Sequence, residues 1–337
     1  MKIITRTSGA PFAAIYVFML AACGGGGGGS TPPVITPSAA LNSSNQTIAA
    51  QDVASSAYLP LMGAQTLTGA QTLDEGVLFS LARSQLNRLP NYLAAAKGNS
   101  TLTGVVQSQI YSCTYGGTVT ASVSDADNNG VVSAGDSVTV AANNCVESEG
   151  TLTGALTFGV NNVTGTFGSD SYSGSLTMTF NGFTVSSSQF SAGANGSLTL
   201  SVSASGVNRV STSVATPSLS VSGTYAGVTR SRSLTNYSAT STRTPNSTSG
   251  YETSYTLNGT LTSSALASQA ISFATPTPFI SLSSDDYPSS GVMLISGAAN
   301  SKLKVTALPG SQVKLELDAN GDDVYEGSTT LNWNTLM

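Results

Sequence analysis

Ser175-Leu-Thr-Met-Thr-Phe-Asn-Gly-Phe-Thr-Val-Ser186 is the stretch whose pattern decides the fold. Leu176, Met178 and Phe180 alternate with threonines and therefore share one face of a half-buried strand. Asn181-Gly182 then supplies two residues that tolerate left-handed backbone, the requirement of a type I′ turn. The run predicts a tight hairpin with Phe180 opposite Phe183 and Val185 on the returning strand. The alternation recurs on either side, in Leu152, Leu156, Phe158 and Val160, in Leu198, Leu200 and Val202, and in Leu219, Val221 and Tyr225. Gly150-Thr-Leu-Thr, Gly174-Ser-Leu-Thr, Gly196-Ser-Leu-Thr and Gly259-Thr-Leu-Thr recur too, the first three at a spacing that suits successive hairpins. These features predict a mainly β protein: a large antiparallel meander sheet or sandwich with a short N-terminal helical segment.

Working outward, Ser38–Gly69 is small, polar and alanine-rich, with Gly-Ala-Gln-Thr-Leu duplicated at 63–67 and 69–73, and carries no clear period. Thr72 and Glu75 have capping-box spacing, and Val77, Leu78, Leu81, Gln85 and Leu86 follow a helical one. That helix is expected to end or bend near Pro90, with Tyr92–Lys97 adding a turn or two. Residues 230–254 read as a long polar hairpin or mobile loop whose Arg230, Arg232 and Arg243 could meet an anion, solvated surface being the default expectation. Pro276–Pro288 interrupts the pattern, and final strands are expected at 291–297, 301–307, 311–317 and 324–333, with Trp333 sealing their core. The predicted organisation is 1–22 export signal, 23–37 tether, 38–100 polar segment plus helix, 101–275 β body, and 276–337 C-terminal meander, either a subdomain or part of the same domain.

The chain has 337 residues, 9% of them charged, a formal charge of −5 and no histidine. The missing histidine excludes His-activated nucleophiles, His general bases and His metal ligands. No basic footprint for nucleic acid exists. The adjacent Asp285 and Asp286 sit in a Ser/Pro-rich loop where a turn, not an acid/base couple, is expected, and the aromatic girdles of a transmembrane β-barrel are not evident. A non-enzymatic role is expected.

At the N-terminus Lys2 and Arg6 precede a short apolar run that ends in Leu20-Ala21-Ala22-Cys23 and is followed by Gly24–Gly29. The run is too short for a permanent membrane span. Leu-Ala-Ala-Cys resembles the lipobox of bacterial lipoproteins. The resemblance implies cleavage before Cys23, a diacylglyceryl thioether and an acyl chain such as palmitate on that residue, and, because Gly24 is not aspartate, an outer-membrane address in the cell envelope. The membrane, reached through Cys23, is then a partner, held durably by two or three acyl chains, and the glycines and Pro32, Pro33 and Pro37 form its tether. The body is similar in texture to Ser/Thr-rich β lipoproteins of proteobacterial outer membranes, from which no functional residue carries over. A structural or surface-interaction role is expected; the alternative is a binder of lipid or another amphiphile in a concave sheet, the two being distinguished by whether the inner face is filled or open.

Two further features concern sites. Val119–Val123 and Val138–Val140 read as arms of one hairpin with Val119 opposite Val140, which places Cys113 nearly opposite Cys145 and predicts a disulfide in an oxidising compartment. The connection between the arms, Asp125-Ala-Asp-Asn-Asn-Gly-Val-Val-Ser-Ala-Gly-Asp136, resembles the calcium loop of EF-hand proteins, with Asp125, Asp127, Asn129, Val131 through its carbonyl, Ser133 and Asp136 at ligand positions and Gly130 at the turn. Asp136 replaces the longer glutamate, strands replace the flanking helices, and an ordinary tip whose side chains cap amides is the other reading. A second turn places Asp318, Asn320 and Asp322 in the same opening pattern, but Asp323 stands at the glycine position, Thr329 at the closing one, and Asn320-Gly321 alone would make a hairpin. No cofactor is required; a structural calcium ion is the one candidate.

Overall fold

The computed structural model describes residues 37–65, 85, 88–97 and 106–337 other than 149, 167–168, 189, 207 and 226–227. The lipobox with Cys23, the glycine tether and Thr72, Glu75, Val77, Leu78, Leu81 and Leu86 of the expected helix lie outside those residues.

Among the described residues fourteen strands form one antiparallel sheet in chain order, β1 to β14, a pure meander. They are β1 (Val106–Ser112), β2 (Gly116–Ser124), β3 (Ser137–Glu147), β4 (Gly150–Gly165), β5 (Ser171–Ser186), β6 (Phe190–Ser205), β7 (Val210–Tyr225), β8 (Val228–Asn246), β9 (Gly250–Ser263), β10 (Gln269–Leu282), β11 (Ser290–Ser296), β12 (Lys302–Leu308), β13 (Gln312–Asp318) and β14 (Gly327–Asn332). The last four fall where alternation predicts them. Because β10 runs through residues 275 and 276, the C-terminal strands continue the same sheet. Residues 230–254 take the hairpin alternative, as β8 and β9.

Asn181-Gly182 does not turn the chain. It is a bulge inside β5, where the register on β6 slips between Phe180 and Phe183. The inserted residue lets side chains of opposite parity face the same way: Leu176, Met178 and Phe180 are buried, and so are Phe183 and Val185. Without it the second pair would face solvent. The same switch occurs in β7, from Val214 to Leu219 across Pro217, and in β8, from Leu234 to Tyr237 across Asn236, which takes φ 48°. Gly154 of β4 approaches this crease so closely that a Cβ there would sit 2.0 Å from the Gly182 carbonyl oxygen. The crease crosses strands too long for simple hairpins, and the Gly-x-Leu-Thr recurrences mark positions along them. Pro276 and Pro278 likewise produce register shifts within β10 without ending it, as expected where a ladder donor is missing.

One face of the sheet is apolar and the other carries hydroxyls. Phe158, Leu156, Leu198, Leu219, Leu261 and Ile271 are among the most buried side chains of one continuous core that runs from β2 to the C-terminus. Trp333 closes it at the C-terminal end, 3% exposed, donating its indole N–H to the Pro288 carbonyl at 3.1 Å and meeting Phe279 edge-on.

A helix, α1 (Gln46–Gln65), occupies the segment that shows no period. Ala49, Ala50, Val53, Ala54 and Ala57 are buried, as are Asp52 and Ser56. Strands β6 to β9, β12 and β13 all touch it. A helix enclosed on several sides needs no polar stripe, so its sequence lacks the amphipathic signal. A second helix, α2 (Leu89–Lys97), begins at Leu89. Pro90 therefore stands in its first turn, where the missing N–H is tolerated; before it Gln85 is helical and Arg88 a turn residue whose amide donates to the Gln85 carbonyl at 3.1 Å. No helix among the described residues is long and apolar enough to cross a membrane.

Candidate functional site

Cys113 and Cys145 are joined, with Cα atoms 5.4 Å apart. Their setting differs from the expected one. Val119 pairs with Ala142 and Val140 with Ala121, two residues from the predicted register, and Cys113 lies in the link between β1 and β2. A two-residue slip keeps every side chain on its face, so the alternation alone did not distinguish the registers.

The β2–β3 pairing ends at Ser124 opposite Ser137, leaving Asp125–Asp136 as the whole connection. Asp125 and Asp136 are buried and Asp127 is exposed, yet a carboxylate oxygen of each lies within 4.8 Å of the others. Asp125 accepts the Gly130 amide at 2.8 Å, Asp127 the Asn129 amide at 3.2 Å, and Asn129 the Val131 amide at 2.6 Å. Asp136 reaches back to the Ala126 amide at 2.9 Å and takes the Ser133 amide at 2.7 Å. None of the ion pairs among the described residues engages these carboxylates.

The β13–β14 connection repeats this scheme. Asp318 accepts the Asp323 amide at 3.0 Å, Asn320 the Asp322 amide at 2.9 Å, and Asp322 the Val324 amide at 2.9 Å. The fourth and sixth positions are left-handed in both loops: Asn128 and Gly130 in the first, Gly321 and Asp323 in the second. Asp323 thus adopts the conformation for which glycine is expected. The connection spans Ala319–Glu326, so Asn320-Gly321 is not a two-residue hairpin turn. Thr329 is a β14 residue paired with Leu315, and the loop closes instead with Glu326, whose carboxylate takes the Ala319 amide at 3.1 Å. Asp318, Asp322 and Glu326 bring oxygens within 4.8 Å of one another. Sequence reasoning passed over Glu326 because it looked for a closing carboxylate at the twelfth position; in this shorter loop the ninth position serves.

Oxygens bound to one calcium ion at about 2.3–2.6 Å lie up to roughly 5 Å apart, a separation both clusters meet. A carboxylate oxygen that caps an amide keeps a second lone pair, so capping and cation binding are compatible here. Around the second loop, Lys302 pairs with Asp323, and this hydrogen bond with the nearby acidic charge holds the lysine above its ordinary pKa range.

A third polar cluster joins α1 to the sheet. Asp52, 1% exposed, accepts from Arg232 Nε at 3.1 Å and Nη2 at 2.6 Å, and from the Ser263 hydroxyl. Tyr237 donates to the Ala57 carbonyl, and its burial pushes the phenol far above the usual range. Arg243 lies 4.3 Å from the centroid of the Tyr251 ring. Arg232 and Arg243 are thus engaged within the chain, in place of the purely solvated surface expected of them. Asp285 caps its own turn by accepting the Leu282 amide at 3.1 Å.

The outer face is a field of hydroxyl ladders. Thr139 and Thr157 meet at 2.9 Å, Thr153 and Thr184 at 2.6 Å, and Thr240 and Thr256 at 2.7 Å. Such cross-strand pairs stabilise a sheet while keeping its surface wettable. A depression of about 240 Å³ is lined by Gly193, Asn195, Ser220, Ser222, Ser233 and Thr262 among others. On the apolar side, the hollow between Val160, Tyr172, Leu176, Leu200 and Val202 holds about 10 Å³.

Comparison with protein-family models, curated proteins and solved structures yields no match for this chain.

Proposed function

We propose that this chain is a lipoprotein of the bacterial cell envelope, held in the outer membrane by acylated Cys23, whose β body performs a non-enzymatic structural or surface-interaction role. The observation that carries the choice of role is the filling of the apolar face. Its own side chains and α1 occupy it in one large core and a small adjoining cluster of Tyr172, Val202 and Val210, and the 10 Å³ hollow between the two is far below the roughly 300–1,000 Å³ of a small-molecule site. This supports a scaffold over a carrier of lipid or another amphiphile. The hydroxyl-covered outer face is the surface offered to other envelope components. Calcium is assigned the part of pinning the two acidic loops, on the donor types and their order in the sequence.

Metabolic labelling with palmitate tests the anchor. The wild-type chain is expected to take up label and fractionate with membranes, and Cys23→Ala to lose both; an unlabelled wild-type chain in the soluble fraction overturns the assignment. Native mass spectrometry that finds a stoichiometric amphiphile on the purified body restores the carrier reading. Calorimetric titration with calcium tests the loops, with heat expected from the wild-type chain and reduced stoichiometry from Asp125→Asn and from Asp318→Asn; no heat in any of them removes the ion.

A further inference from the structure

Strand β1 breaks the rule that governs the rest of the sheet. Gln107 and Gln109 are paired with Val123 and Ala121 and so point to the apolar side, whereas Val106 and Ile110, paired with Ser124 and Thr120, stand on the hydroxyl side. There Val106 is 61% and Ile110 69% exposed. β1 also ends the strand order, and among the described residues nothing pairs with its outer edge.

The hydrogen-bond phase of that edge follows from one bond. The Cys113 amide donates to the Gly117 carbonyl at 3.2 Å. Bonded pairs alternate along an antiparallel ladder, so Tyr111, Gln109 and Gln107 bond to β2, while Val106, Ser108, Ile110 and Ser112 direct their N–H and C=O groups outward. Natural sheets blunt such an edge with charge, proline or a bulge. β1 has none of these: its sequence is Val-Gln-Ser-Gln-Ile-Tyr-Ser, and its register on β2 is unbroken from Val106 to Ser112. No charged residue occurs from Val106 to Tyr115, and the neighbouring Glu147 is bonded to Thr114. At the other end of the sheet, β14 carries no large exposed apolar side chain to complement Val106 and Ile110.

The sequence of β1 complements itself. In an antiparallel pairing centred on Ser108, Val106 faces Ile110 of the second strand, Gln107 faces Gln109, and Ser108 faces Ser108. Every residue of Val106, Ser108 and Ile110 then meets a residue of the same hydrogen-bond phase. Centring on Gln109 also satisfies the phase but sets Ile110 against Ser108 and Val106 against Ser112. We infer that β1 is the interface of a two-fold dimer, joined antiparallel to β1 of a second copy of this chain about Ser108. The pairing continues the sheet across the axis and sets Val106 of each copy against Ile110 of the other, on either side of the central Ser108 pair. An interface of this kind is isologous and therefore closed.

The test uses the full chain purified in detergent. At the proposed axis the two Ser108 Cα atoms are about 5.5 Å apart, within the range a disulfide spans. Ser108→Cys is expected to give a covalent dimer on mild oxidation, above any background the parent chain shows, while Ser122→Cys on the adjacent strand does not. Ile110→Pro removes an outward N–H and the Ile110 side chain while sparing the bonds of β1 to β2, and is expected to convert the sedimenting dimer to monomer with an unchanged circular dichroism spectrum. Ile110→Lys does the same by charge and serves if the proline disturbs β1. A wild-type monomer without a Ser108→Cys cross-link overturns the inference. So does a dimer that fails to cross-link there, or a preferential cross-link of Ser108→Cys with Thr330→Cys on β14.

Discussion

Removing the Asp52 carboxylate tests whether α1 is held to the sheet by charge. Asp52 is 1% exposed and accepts two guanidinium N–H bonds from Arg232 and the hydroxyl of Ser263. Deleting one partner of a buried pair costs about 3–5 kcal/mol, because the other charge is left without compensation. The Arg232 side chain is 28% exposed, so in Asp52→Ala the guanidinium recovers some hydration, and the expected loss lies at the low end, about 3 kcal/mol with the orphaned Ser263 hydroxyl included. Arg232→Ala strands the more deeply buried member and is expected to cost more, about 4–5 kcal/mol. The double variant should fall short of the sum by about 2 kcal/mol, the coupling of the pair. Replacing both with apolar residues, Asp52→Leu with Arg232→Met, removes the charges together and is expected to cost only about 1–3 kcal/mol, the share of the orphaned Ser263 hydroxyl. Urea unfolding measures all four, followed by the emission of Trp333, the chain's one tryptophan, and by far-ultraviolet circular dichroism. Additive single losses, with coupling below about 0.5 kcal/mol, would refute the reasoning and leave α1 held by apolar packing alone.

Three further outcomes follow from the geometry. Replacing Cys113 and Cys145 with serine should lower unfolding free energy by about 3–4 kcal/mol on the chain-entropy estimate, read as the drop in urea midpoint, with reductant producing the same drop in the wild-type chain. Gly154→Ala places a Cβ 2.0 Å from the Gly182 oxygen at φ +83° and should cost about 2 kcal/mol or more, whereas Gly159→Ala meets nothing within 4 Å and should stay within about 0.5 kcal/mol of wild type. Hydrogen bonds from Lys304 and then Lys314 hold the Glu316 carboxyl below the usual range. The folded pKa being lower than the unfolded one, its contribution is complete above the unfolded value and vanishes as pH falls through the folded one; the difference in urea midpoint between wild type and Glu316→Gln should shrink over that acidic interval and stay constant near neutrality.

Much of the fold was legible wherever a physical constraint is local. Leu176, Met178 and Phe180 declare a one-sided strand because a pleat sends alternate side chains to opposite faces, and the last four strands are readable for the same reason. The two body cysteines and the order of oxygen donors from Asp125 to Asp136 were readable from spacing. Asn181-Gly182 was misread because left-handed backbone serves a turn and a bulge equally; which one forms depends on whether the next strand lies beside the chain or is the chain returning. Glu326 escaped because a loop can close at its ninth residue when the strands below it stand closer in sequence.

Composition and alternation by themselves established an antiparallel, one-sided sheet with a hydroxyl exterior, and the missing histidine limited its chemistry. Only the three-dimensional arrangement decided that the long strands crease along a line of bulges, that an alanine-rich segment becomes an enclosed helix tied by Asp52 to Arg232, and that β1, an end strand of the sheet among the described residues, turns its apolar side chains outward. The division has one cause. A strand's period is written in neighbouring residues, whereas a crease, an ion pair between residues 52 and 232, and a strand's place in the sheet order exist only once distant segments have met.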